Sequence, residues 1–94
     1  MRTFRIDAFT KNCKTDVEKQ TATLYFSEAA IFLAKAFGIS CNITTQTRVE
    51  NDGEIECLVT VEGGSIGEDE DAIRLFEEIL IERTDRFSLA SEED

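Results

Sequence analysis

The chain contains no proline, no tryptophan and no histidine among its 94 residues, and has three cysteines, one methionine and one tyrosine. Without proline there is no rigid spacer and no proline-rich docking segment. Without histidine, the common base for serine and cysteine nucleophiles and the commonest metal ligand are both missing. The cysteines, Cys13, Cys41 and Cys57, form no C-x-x-C pair, and a structural zinc site would need a carboxylate as its fourth ligand. Buried free thiols are therefore expected. Long apolar runs are absent too: the stretch from Ala29 to Ala34 is far too short to span a bilayer. Charges interrupt the N-terminal segment at Arg2, Arg5 and Asp7, so it does not read as a signal peptide, and a cytoplasmic location is expected. In that setting the sequon Asn42-Ile43-Thr44 carries no weight.

What the chain has is negative charge, unevenly placed. Residues 1–48 hold seven bases against four acids, a net +3. Residues 49–94 hold sixteen acids against Arg74, Arg83 and Arg86, a net −13. The resulting field repels nucleic acid and membrane phosphates and attracts basic proteins. The length and the 41% hydrophobic content fit a single globular domain, expected over 1–87 and followed by an acidic flexible tail at 88–94.

Alternation over Thr3–Phe9 predicts a half-buried strand with Phe4, Ile6 and Ala8 on one side. Lys11–Lys14 reads as a turn. The threonine-rich segment Asp16–Leu24 reads as a weak edge strand, with Lys19 discouraging unwanted pairing. Ser27 is the expected cap of a helix reaching Phe37, with Gly38 as its stop. That helix is apolar on almost every side, which suits burial or contact with a second copy.

Parity fixes the register of the next two strands. Cys41, Ile43, Thr45, Thr47 and Val49 share one parity, and so do Ile55, Cys57, Val59 and Val61. For both sets to face the core, paired numbers must have an even sum. A three-residue Asn51-Asp52-Gly53 loop meets that condition and a two-residue loop does not. Val49 then pairs with Ile55, Thr47 with Cys57, Thr45 with Val59, Ile43 with Val61 and Cys41 with Gly63. This places Cys41 about 20 Å from Cys57, out of disulfide reach. Gly63–Gly67 reads as a flexible connection. A last helix is expected from Asp69 to Arg86, with Ala72, Ile73, Phe76, Ile79, Leu80 and Phe87 on its core side. The expected fold class is α+β in the order ββαββα: an antiparallel four-stranded sheet with two helices packed on one face.

Several chemistries can be weighed. Gly63–Gly67 lacks the lysine of a phosphate-binding P-loop and is followed by four carboxylates. The acid runs at 52–54 and 68–71 do not match the spacing of a calcium loop. Glu50 opposite Glu54 on a solvated sheet face lacks the burial that would separate two carboxyl pKa values. A basic patch of Arg2, Arg5, Lys11, Lys14 and Lys19 beside Phe9 is opposed by the overall charge. No catalytic residue, metal ligand or cofactor is assigned. The candidate partner-binding residues are Glu50, Asp52, Glu54, Glu56 and Glu62 on the outer sheet face and hairpin turn, and Asp71, Glu78, Glu82 and Asp85 on the last helix. Such rows suit a groove lined with lysine and arginine that otherwise holds nucleic acid.

In size, acidity, lack of histidine and order of elements, the whole chain resembles small phage-encoded inhibitors, including anti-CRISPR proteins. The resemblance implies a stoichiometric inhibitor, working in the host cytoplasm, whose acidic surface blocks a basic nucleic-acid channel on a protein or complex. It carries over no individual residue. The alternatives are a homodimeric assembly module joined through the apolar helix 27–37, and a small-ligand or metal-dependent enzyme, which nothing in the residues favours.

Overall fold

The computed structural model describes residues 3–49, 55–65 and 70–90. Its elements run β1 (Thr3–Thr10), α1 (Asp16–Phe37), β2 (Ile39–Val49), β3 (Ile55–Ser65), α2 (Glu70–Arg83) and β4 (Phe87–Ala90). The four strands form one antiparallel sheet in the order β2-β3-β1-β4. Ile6, Ala8, Val59 and Val61 share one side of the sheet, and there they join Phe26, Ala30, Phe76 and Leu80 of the helices in a single core. Both helices therefore cover one face, and the α+β class read from the sequence holds.

The order of elements is βαββαβ, which corrects ββαββα in two places. Asp16–Leu24 is the first half of α1, a helix of 22 residues, and not an edge strand. Thr15 caps it, its hydroxyl accepting from the Glu18 backbone N–H at 3.1 Å, and the Lys14 N–H donates to the Glu18 carboxylate at 3.4 Å. Buried Lys19, Ala22, Phe26, Ala30 and Leu33 then recur at helical spacing. Ser27, expected as the cap, lies mid-helix. Gly38 does end the helix: at φ 69° it holds the left-handed conformation, and its N–H reaches back to the Ala34 and Lys35 carbonyls.

The second correction concerns the C-terminal segment. Here α2 stops at Arg83, and Phe87–Ala90 turns back to pair with β1, from Thr10↔Phe87 to Asp7↔Ala90. Thr84 sits buried at that corner. Its hydroxyl donates to the Leu80 carbonyl, and its own carbonyl accepts from the Phe87 N–H at 3.0 Å. Phe87 is thus a core residue of a strand, stacked on Phe26 with ring centroids 4.5 Å apart, and not part of a helix. Residues 88–90 belong to the sheet; the rest of the expected tail lies outside the described residues.

The β2–β3 register is as parity demanded, from Ile39↔Ser65 through Ile43↔Val61 to Val49↔Ile55. The expected 51–53 loop lies outside the described residues. Gly63 and Gly64, expected in a flexible connection, are strand residues opposite Cys41 and Ser40 on β2 and Phe4 and Thr3 on β1. All three cysteines are free thiols, Cys13 buried and the other two half-buried. Burial pushes the Cys41 thiol above its ordinary pKa.

On the sheet's outer face, buried Asp7 accepts a 2.8 Å hydrogen bond from the Thr60 hydroxyl and lies 3.3 Å from Arg5 Nε. Thr60→Val keeps the shape and strips this carboxylate of a donor. A loss of about 1–3 kcal/mol is expected in urea unfolding; an unchanged midpoint would show that the hydroxyl contributes nothing.

Candidate functional site

The candidate carboxylates fall on two opposite sides of the molecule. Glu56 and Glu62 project from the outer face of the sheet, whereas Asp71, Glu78 and Glu82 belong to α2 in the helical layer. Asp85 lies in the turn after α2. Glu50, Asp52 and Glu54 lie outside the described residues. The two-layer fold thus separates the acids that sequence order groups together, and those described do not form one continuous surface.

The sheet's outer face is mixed in character. Glu62 stands directly across from Arg5, and Glu56 pairs in register with Arg48. Between them along β3 come Leu58 and Thr60, so the two carboxylates are about 20 Å apart. Next to Leu58 on β1 is half-buried Phe9. Buried Asp7, beside Thr60, is the one carboxylate that these described positions place between the two glutamates, and Arg5 and Arg48 occupy the register positions opposite Glu62 and Glu56.

The helix face is different. Asp71, Glu78 and Glu82 are exposed and seven and four residues apart, which puts them within a narrow arc on one side of α2. Exposed Glu70 adds to the charge of the first turn, where it is favoured by the helix dipole. Arg74 lies 3.9 Å from Asp71, an exposed pair worth little in water. Asp85 shares a cleft with Asn12, Lys14, Glu18 and Arg86. Arg86 there reaches Glu18 at 3.6 Å. Asp85 thus sits among bases and does not extend the acidic row.

Glu77 occupies the flank of α2, in a shallow depression with Thr3, Phe4, Ile73 and Arg74. Burial pushes its carboxyl pKa above the ordinary 4.5, against the lowering pull of Arg74 and with a further push from Glu78. A carboxylate raised on folding costs stability while ionised, and that cost is relieved as pH falls through the folded pKa. Glu77→Gln is expected to raise the melting temperature by up to about 3 °C at neutral pH. The gain should vanish below pH 4.5, where the native carboxyl is protonated in both states. A gain of the same size at every pH would contradict this account.

With the geometry in place, the chain can be set beside known proteins. No protein-family model matches it, and no curated protein matches it. Among solved structures it is similar to the C-terminal domain of the MgtC protein from Mycobacterium tuberculosis, solved in solution, with a TM-score of 0.61. The match covers 97% of this chain and 87% of that domain, at 10% sequence identity. The two share a fold. Identity that low carries the arrangement of strands and helices and leaves chemistry to be argued from this chain's own residues.

Among the described residues, no three His, Cys, Asp or Glu side chains are grouped so as to hold a metal ion. No described helix is long and apolar enough to cross a membrane. Two features escaped the sequence reading. One is a groove of about 370 Å³ between the N-terminal half of α1 and the hairpin, lined by Gln20, Leu24, Thr45, Thr47 and Cys57 among others. It forms because Thr45, Thr47 and Val49 keep the helix-side parity but remain exposed, beyond the cover of α1. The other is the full length of the solvent face of α1, of which the sequence reading caught only the part within 27–37. Its signal was the seven-residue spacing of Val17, Leu24 and Ile31, hidden while half of the helix was read as a strand.

Proposed function

We propose that this domain is a non-enzymatic binding protein whose acidic α2 face engages a basic surface of a protein partner, inhibiting it by occupying a surface that otherwise holds nucleic acid. The observation that carries this reading is the exposed row Asp71, Glu78 and Glu82 on one side of α2, in the half of the chain with a net charge of −13. Glu56 and Glu62 are left out of the binding face because arginines stand opposite them. An inhibitor of the phage anti-CRISPR type, acting in a host cytoplasm, is the narrower form of the same reading. Like charges keep nucleic acid itself from this face, so the partner is the protein that binds it.

Electrostatic steering makes such an association fast and sensitive to salt. Reversing Asp71, Glu78 and Glu82 together to lysine is expected to weaken capture of the native partner by more than about tenfold. Reversing Glu56 and Glu62 serves as the control and is expected to change it little. Equal affinity of the α2 variant and the native chain, each checked as folded by circular dichroism, would reject the reading.

A further inference from the structure

Five of the large apolar side chains left open to solvent lie on one helix. Val17, Leu24, Tyr25, Ile31 and Phe32 of α1 are between 47% and 73% exposed. Val17, Leu24 and Ile31 are seven residues apart, as are Tyr25 and Phe32. At about 100° per residue the two lines stand about 100° apart, so the five lie within one broad stripe about 120° wide, with Thr21, Glu28 and Lys35 along its middle. From Val17 to Phe32 the stripe is about 22 Å long. The opposite side of α1 holds Lys19, Ala22, Phe26, Ala30 and Leu33 against the sheet. The five side chains present on the order of 500 Å² of apolar surface, at the upper end for the largest patch on a soluble monomer.

The charges on α1 select what covers this stripe. Its first turn is acidic, with Asp16 and Glu18, and its last turn basic, with Lys35. Thr21, Glu28 and Lys35 run between the apolar positions, one charge of each sign, so the stripe offers little to a basic partner. A lipid surface would require several exposed bases along the helix flank, and α1 has two lysines, of which Lys19 is buried. A second copy of the chain meets every condition. We infer that the protein forms a two-fold dimer in which α1 packs antiparallel against α1 of the partner subunit.

With the axis between Leu24 and Tyr25, Leu24 lies over Tyr25 of the partner subunit and Val17 over Phe32 of the partner subunit. Glu28 faces Thr21 of the partner subunit. Lys35 of each chain comes level with Lys14 of the partner subunit, just ahead of the acidic first turn that holds Asp16 of the partner subunit. An isologous contact repeats each of these pairs about the axis. Apolar side chains thus run along both flanks of the interface, with Thr21 and Glu28 of each chain along its middle. The buried apolar area of two copies approaches the lower bound for a specific interface, about 1,200 Å² in total, before rim contacts are added. The dimer leaves the α2 row uncovered and presents it twice, so the inference stands independently of the binding role proposed for α2.

Sedimentation velocity from micromolar to submillimolar concentration tests this directly. The native chain is expected to approach twice its 10.6 kDa mass. Leu24→Glu and Phe32→Glu, each at an exposed position, are expected to weaken the dimer by more than about tenfold with helix content and melting of the monomer unchanged. A single-chain mass at every concentration overturns the inference. So does a dimer indifferent to Leu24→Glu and Phe32→Glu, which would place the contact elsewhere. A monomer that instead floats with phosphatidylcholine vesicles, and loses that property in Leu24→Glu, would give the stripe to a membrane.

Discussion

Phe26→Ala is expected to destabilise the domain by about 3–5 kcal/mol, the range for emptying a fully buried aromatic site. The ring is completely shielded from solvent and stacks on Phe87, tying α1 to the edge strand β4. Neighbours cannot close the space easily. Ala22 and Ala30, one turn away on either side, are already small, and Val59 and Val61 are fixed in a central strand. A domain of this length has about 5–14 kcal/mol of net stability, so the variant should melt near ambient temperature or be unfolded outright. Urea unfolding followed by far-ultraviolet circular dichroism measures the effect. A loss below about 1 kcal/mol would show that the site collapses or that Phe26 is not the centre of the core. Phe32→Ala gives the contrast. That ring is 69% exposed on the same helix, and removing it should leave the monomer's stability within about 1 kcal/mol.

The second large effect belongs to a glycine. A Cβ on Gly63 would collide with the Ser40 carbonyl oxygen and lie 2.8 Å from the Cys41 Cα. Both are backbone atoms of the neighbouring strand, so no side-chain rotation relieves the contact. Gly63→Ala must push β2 away from β3 at the base of the hairpin, or shift β3 against Phe4 on its other side. A cost of about 3 kcal/mol or more is expected, at the severe end for inserting a single carbon. Gly64→Ala, one residue on and pointing to the other face of the sheet, is the comparison; its loss should be smaller. Equal losses at both positions would mean that backbone freedom, and not the close approach of β2, is what Gly63 supplies.

How much of this was legible beforehand differs from element to element. The capping pattern Thr15-Asp16-Val17-Glu18 was present in the sequence and matches a helix start, yet the threonines that follow it favour a strand. Both faces of α1 carry apolar residues, so its period is blurred, and only the neighbours beneath Ala22, Phe26 and Ala30 decide for a helix. Phe87 was recognised as core, but its place in a strand depends on β1 having an unfilled edge to pair with. For the candidate site, the exposed side of α2 followed from helical spacing. Glu56 and Glu62 on the outer sheet face, with Arg48 across from Glu56, followed from parity; that Arg5 stands across from Glu62 required the pairing of β1 with β3.

By itself the sequence determined what depends on near neighbours. Side-chain parity set the β2–β3 register; a glycine free to take positive φ ended α1; and composition placed the negative charge in the second half. The tertiary structure alone decided which strands lie side by side, which segment closes the sheet, and which acids share a surface. Those outcomes turn on contacts between residues far apart in the chain, where the same local pattern suits more than one partner until the core selects one.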